Sequence, residues 1–120
     1  MTHILIVEDD ESVRSFTARA LQASGYTVDV AEDGDEGLER VTARTGTYDL
    51  VLSDIRMPVM DGIAMARELA ARFPQQKILL MTGYAEQRER AVELEGIIVG
   101  VVAKPFNLAQ IRDEVSRALR

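Results

Sequence analysis

Two kinds of hydrophobic pattern alternate along the chain. Ile4–Val7, Leu50–Leu52, Ile78–Met81 and Val101–Ala103 are short apolar runs without polar interruption. Unbroken runs of that length predict strands covered on both faces, as in a parallel sheet. Tyr26–Ala31 is a weaker, alternating strand with Val28 and Val30 on one face. Between the runs, apolar residues recur at helix spacing. Val13, Phe16, Ala20 and Leu21 form one stripe that Gly25 stops. Leu38 and Val41 mark a short second helix after a turn at Asp33-Gly34. Ile63, Ala66, Leu69, Ala70 and Phe73 mark a third, after a turn at Asp61-Gly62 and before Pro74. Ala91, Val92 and Leu94 suggest a fourth. The fifth opens at Asn107 with Gln110 three residues on, a capping box, and buries Leu108, Ile111, Val115 and Leu119. Five strands alternating with five helices predict a doubly wound α/β fold with right-handed crossovers.

Composition narrows the function. A chain of 120 residues with 47% hydrophobic and 28% charged positions suits one globular domain over residues 1–120, without repeat or linker. The absence of cysteine excludes disulfides and thiolate metal sites and agrees with a reducing compartment. The net charge of -6, with no basic cluster, opposes nucleic-acid binding. The opening segment "MTHILIVEDDE" lacks a basic leader, and "GIIVGVVA" is too short to span a bilayer, so a cytoplasmic protein without membrane contact is expected.

In a doubly wound fold, functional groups gather beyond the carboxyl ends of the strands. Glu8 and Asp9 follow the first strand here, Asp54 ends the third, Thr82 the fourth and Lys104 the fifth. Three acids, a hydroxyl and an ammonium are therefore expected to share one rim. Clustered carboxylates repel one another unless a cation compensates. All-oxygen ligation suits Mg²⁺, with Mn²⁺ as another divalent ion of this kind. Asp9 is expected as the direct ligand and Glu8 through water. A carboxylate beside a metal, a lysine and a hydroxyl is equipped for attack on phosphorus, which makes Asp54 the expected nucleophile. His3, the sole histidine, stands at the start of the first strand and is not expected to be a ligand, which removes zinc-hydrolase and Ser-His-Asp readings. "DVAEDGDEGLER" lacks the ligands of a calcium loop and is expected to be an acidic, solvated turn. Met57, Met60 and Met65 are expected to pack in the core or loops, and "GIIVG" either in the core or as a patch for a partner or a second copy.

The elements "ILIVEDDE", "DLVLSDIRMPVMDG", "ILLMTGY" and "VVAKPF" together resemble the receiver domain of two-component response regulators, of the chemotaxis-type, stand-alone kind, over the whole chain. The resemblance implies a flavodoxin-like sheet in the order 2-1-3-4-5. It implies Asp54 as phosphoacceptor, Glu8 and Asp9 as the acidic pair, Thr82 as the hydroxyl and Lys104 as the lysine. It further implies that the Arg56 backbone carbonyl ligates the metal and that the Lys104–Pro105 bond is cis. The implied partners are a histidine kinase or phosphotransfer protein and an unidentified downstream protein, with the chain a monomer or weak homodimer. Many members carry an aromatic residue three positions before the lysine, where this chain has Val101, whose β-branched side chain has little reach. Tyr84, Val101 and Pro105 are the switch or output candidates. Arg56 and Tyr84 hold the positions that influence dephosphorylation in the family.

A switch that catalyses only its own phosphorylation and dephosphorylation is therefore expected, rather than an enzyme with an external substrate. Met1 opening directly into the first strand and Arg120 closing the last helix fit a stand-alone protein. A phosphorelay intermediate, or a fragment of a larger kinase or transcription factor, is an alternative. An aspartate-nucleophile phosphatase is the third, opposed by Arg56 standing where such enzymes place their second aspartate.

Overall fold

The computed structural model describes residues 1–120, except the side chain of Glu86. Strands β1 (His3–Val7), β2 (Thr27–Ala31), β3 (Leu50–Asp54), β4 (Ile78–Thr82) and β5 (Gly100–Ala103) alternate with helices α1 (Glu11–Ala23), α2 (Gly34–Ala43), α3 (Gly62–Arg72), α4 (Ala85–Ala91) and α5 (Leu108–Leu119). All strand pairings are parallel, in the order β2-β1-β3-β4-β5.

The unbroken apolar runs follow from burial on both faces. In β1, Ile4 and Ile6 pack with Leu21, Ile111 and Val115 beneath α1 and α5. Leu5 and Val7 turn the other way, among Val41, Ile63, Met65 and Leu69 of α2 and α3. Alternation persists as geometry although both sides are apolar. Burying each large aliphatic side chain contributes roughly 1.5–3 kcal/mol, so the two layers hold the sheet from both sides.

Several helix boundaries are set by aspartates. Asp10, Asp33 and Asp61 each cap a helix by accepting from the N–H three residues on, at 3.1, 2.8 and 2.8 Å. The Asp33-Gly34 and Asp61-Gly62 pairs, expected as turns, are thus each an N-cap and the first helical residue. The expected capping box at Asn107 and Gln110 is present in both directions, at 2.8 Å each way.

Helix faces depart from expectation at their ends. Phe16 is 43% exposed and Leu108 41%, although spacing placed both in the core. The buried partner on α1 is instead Thr17, whose hydroxyl donates to the Val13 carbonyl at 2.7 Å and so hides its polar atom. After Ala91 the chain tightens into a 3₁₀ turn, Val92–Leu94, which buries Ala91 and Leu94 at a three-residue spacing and leaves Val92 exposed. Met57 and Met65 are buried and Met60 half-buried; Ile97 and Ile98 pack partly against the core while Val99 faces out. No helix among the described residues is long and apolar enough to cross a membrane.

Candidate functional site

β1 and β3 run side by side and β5 lies one strand beyond β3, all parallel, so their carboxyl ends open onto the same rim. Strand alternation then aims the side chains. Asp54 shares its parity with Leu50 and Leu52, and Lys104 with Val102, all on the α1/α5 side of the sheet. Glu8 follows β1 with the parity of Ile4 and Ile6. The three meet: Lys104 Nζ donates to Glu8 Oε1 at 2.8 Å and lies 3.3 Å from Asp54 Oδ2. Asp9, one residue beyond Glu8, is exposed, yet one carboxylate oxygen from each of Glu8, Asp9 and Asp54 falls within 4.8 Å of the others.

Burial without full compensation sets the electrostatics. Glu8 is only 1% exposed, and desolvation pushes its carboxyl up to about 7, against the opposing hydrogen bond from Lys104. Burial also raises Asp54 above the ordinary aspartate value, again opposed by Lys104. For Lys104 burial works downward, but the Glu8 hydrogen bond and the neighbouring carboxylate charges outweigh it and hold the ammonium above its usual value. One ammonium among three acids leaves the site short of positive charge. The donor set is all oxygen and close enough for one ion to reach, which fits Mg²⁺.

These groups line a cleft of about 790 Å³ bounded by Asp10, Phe16, Arg56, Tyr84, Pro105 and Phe106. The Arg56 guanidinium stacks on the Tyr84 ring at 4.8 Å from its centroid, across the cleft from α1. The Lys104–Pro105 peptide is cis, as expected. Thr82 stands at the same end of the sheet but is buried and does not line the cleft. It shares parity with Leu80 on the opposite side, and its Oγ1 accepts from the Tyr84 N–H at 3.1 Å. Val101 lies away from the cleft, half-buried beside Ala91 and Val92 of the α4 segment. His3 is likewise remote from it, with Nε2 3.0 Å from Asp29 and its ring edge-on to Tyr48.

Further residues support the site, of which sequence marked only Asp61-Gly62, as a turn. Arg14 of α1 reaches back to donate to the Glu8 carbonyl at 2.9 Å, fixing the acidic turn. Gly62 lets α3 begin against the strand that carries Asp54: a Cβ there would lie 2.3 Å from the Asp54 carbonyl oxygen. Asp61 accepts from Arg90 of α4 at 3.2 Å besides capping α3. The Asp-Gly pairs were the available signal, but their spacing alone does not distinguish a turn from a cap against a crowded neighbour.

The family model for the response regulator receiver domain matches residues 4–116. Among similar proteins, the response regulator receiver protein CpdR of Brucella abortus is 34% identical over 119 residues, covering 99% of this chain and 98% of that protein. The sensor kinase CckA of the same organism is 40% identical over 116 residues, 97% of this chain but 12% of the kinase. The NtrC regulator of Klebsiella pneumoniae, 34% identical, is likewise spanned over only 24% of its length. Among solved structures, Thermotoga maritima TrrA in complex with Mg(2+)-BeF superposes with a TM-score of 0.88 at 33% identity, covering 98% of this chain and 99% of that one. The chemotaxis regulator CheY4 of Vibrio cholerae gives 0.86 at 30% identity, with 98% of both chains covered. A match over nearly the whole chain, on a fold that brings an acid triad and a lysine to one rim, establishes membership: the chain belongs to the response regulator receiver domain family, the phosphorylation-operated signalling switches of two-component systems rather than classical enzymes.

Proposed function

We propose that Asp54 accepts a phosphoryl group from a histidine kinase or phosphotransfer protein and that the phosphorylated chain changes its binding to a downstream protein. The observation that carries this reading is the placement of Asp54: a carboxylate on a central strand, 7% exposed, with Lys104 Nζ at 3.3 Å and two further acids within reach of one ion. One carboxylate oxygen of Asp54 attacks phosphorus, the donor's P–N bond breaks, and the electron pair leaves with the donor nitrogen. Glu8, Asp9, Asp54 and the Arg56 carbonyl would hold Mg²⁺, which would supply the charge neutralisation that phosphoryl transfer requires. The complex of TrrA with Mg(2+)-BeF supports that choice of metal. Lys104 carries the ammonium that follows the new negative charge, and it already bridges Glu8 and Asp54. The Thr82 hydroxyl lies outside the cleft lining and accepts from the Tyr84 N–H; a swing toward the phosphoryl oxygens would let it donate its proton there and break that contact, which couples the site to the loop carrying Tyr84.

Dephosphorylation belongs to the same groups: water attacks the acyl phosphate at the cleft, under the stacked Arg56 and Tyr84 side chains. The receiver domain acts in the cytoplasm and away from membranes and nucleic acid, in keeping with its net charge of -6 and lack of cysteine. Intact-mass spectrometry after incubation with a small-molecule phosphodonor tests the reading. Wild type should gain one phosphoryl group only when Mg²⁺ is present, and Asp54→Asn should gain none. Incorporation that persists in Asp54→Asn refutes the assignment.

A further inference from the structure

Between Asp54 and α3 the chain makes a loop that its own contacts do not explain. Val59 has φ +69°, in the left-handed region that a β-branched residue rarely enters, and its side chain is 83% exposed, so no packing holds it there. A tight turn forms around it, with the Met60 N–H donating to the Pro58 carbonyl at 2.8 Å. Strain of this kind persists only where the surroundings enforce it.

Two glycines do so. At the far end of the loop the Gly62 N–H donates to the Ile55 carbonyl at 2.8 Å. At its crown the contact comes from α2, a helix that contributes nothing to the cleft. The Gly34 N–H donates to the Met60 carbonyl at 3.2 Å, and a Cβ on Gly34 would lie 2.2 Å from that oxygen and 2.9 Å from its carbon. The hydrogen bond is long, so the missing side chain matters more than the bond. Arg56, whose carbonyl the proposed site assigns to the metal, lies between the two clamped points.

We infer that Gly34 is a positioning residue for the phosphoacceptor site: by admitting the Met60 carbonyl against the start of α2, it holds the Ile55–Asp61 loop in the strained form that presents the Arg56 carbonyl to the acids. This rests on the proposed reading of the site as an Mg²⁺ centre. The clamp acts through the loop backbone and touches neither the metal nor the phosphoryl group.

The test is Gly34→Ala, alone and with Val59→Gly, each examined by far-UV circular dichroism, by hydrogen exchange of the loop amides without metal, and by calorimetric Mg²⁺ titration. Gly34→Ala should keep its secondary structure, exchange its 55–60 amides faster, and bind Mg²⁺ about tenfold more weakly, the scale of loss when a ligand's outer support is removed. Val59→Gly in the same chain should restore most of the affinity, because a glycine at 59 lets the Met60 carbonyl move aside while residues 55–57 stay in place. A general loss of stability has no reason to be repaired by a second, exposed substitution. Unchanged loop exchange and unchanged Mg²⁺ affinity in Gly34→Ala overturn the inference and leave the site reading standing. A wild type that takes up no Mg²⁺ overturns the site reading and the positioning role with it. Failure of both variants to fold makes Gly34 a determinant of the fold alone and also overturns the inference.

Discussion

Glu8 and Asp54 show what it costs to hold acids under a sheet rim. Both carboxyls are raised by burial, so in metal-free protein at neutral pH their charged forms work against folding. Asp54→Asn removes one of those charges and should stabilise the metal-free chain. In saturating Mg²⁺ the sign should reverse, because the variant has lost a ligand. Denaturant midpoints with EDTA and with Mg²⁺ measure both, and a variant less stable than wild type in EDTA would contradict this account of the strain. Lys104→Ala acts oppositely. It leaves Glu8, almost fully buried, without its 2.8 Å partner, and should cost about 2–3 kcal/mol in metal-free protein. The loss should shrink below pH 6, where Glu8 is neutral.

At the scale of elements, the site depends on where helices begin. Asp61 caps α3 at Ala64 and also receives Arg90 from α4, so one side chain ties the start of α3 to the segment next to the proposed output loop. Asp61→Ala should lower stability by about 1 kcal/mol, mostly through the lost cap, since the ion pair is exposed and worth little in salt. Thermal unfolding at low and high ionic strength separates the two: a loss that vanishes in high salt would assign the effect to Arg90 instead. Gly62→Ala should be far worse, because α3 cannot retreat from the Asp54 carbonyl without moving the strand end that carries the acid. Its Mg²⁺ affinity should fall with its stability, whereas Asp61→Ala should leave Mg²⁺ binding near wild type.

For the whole molecule, the acid cluster gives a distinctive pH dependence. The folded chain holds a proton on Glu8 up to about 7, while the unfolded chain releases it near the ordinary glutamate value. Between those limits the native state binds more protons, so metal-free stability should fall as pH rises, by about 3 kcal/mol across the window. Lys104 does not oppose this trend, since its raised value gives stability that is constant below the ordinary lysine value. Asp29 titrates outside the window: the Tyr48 hydrogen bond lowers its value, giving stability that is lost only in more acid solution. Scanning calorimetry from pH 5 to 7.5 in EDTA should show a declining Tm, and added Mg²⁺ should recover more at the upper end. A Tm that rises over that range in EDTA would mean Glu8 is ionised throughout.

The sequence by itself determined the sheet, the class of fold and the rim. Ile4–Val7, Leu50–Leu52 and Ile78–Met81 are apolar at consecutive positions because helices cover both faces, and no surface strand needs that. Glu8, Asp9, Asp54 and Lys104 were legible as a group because strand ends are local features and parallel strands bring their carboxyl ends together. Helix spacing could not show where a neighbouring layer stops. Phe16 and Leu108 lie on the expected stripes of α1 and α5 but stay exposed: Phe16 stands 6.5 Å from the Phe106 ring at the cleft, and both residues line a surface groove between the two helices. Thr82, expected on the same rim, stands at that end of the sheet but is buried outside the cleft lining, with the strand parity of Leu80. Only the tertiary structure decided which glycines serve the site. Gly34 and Asp54 are far apart in the chain, and whether a missing Cβ admits another residue's carbonyl depends on packing between elements, which no local pattern records.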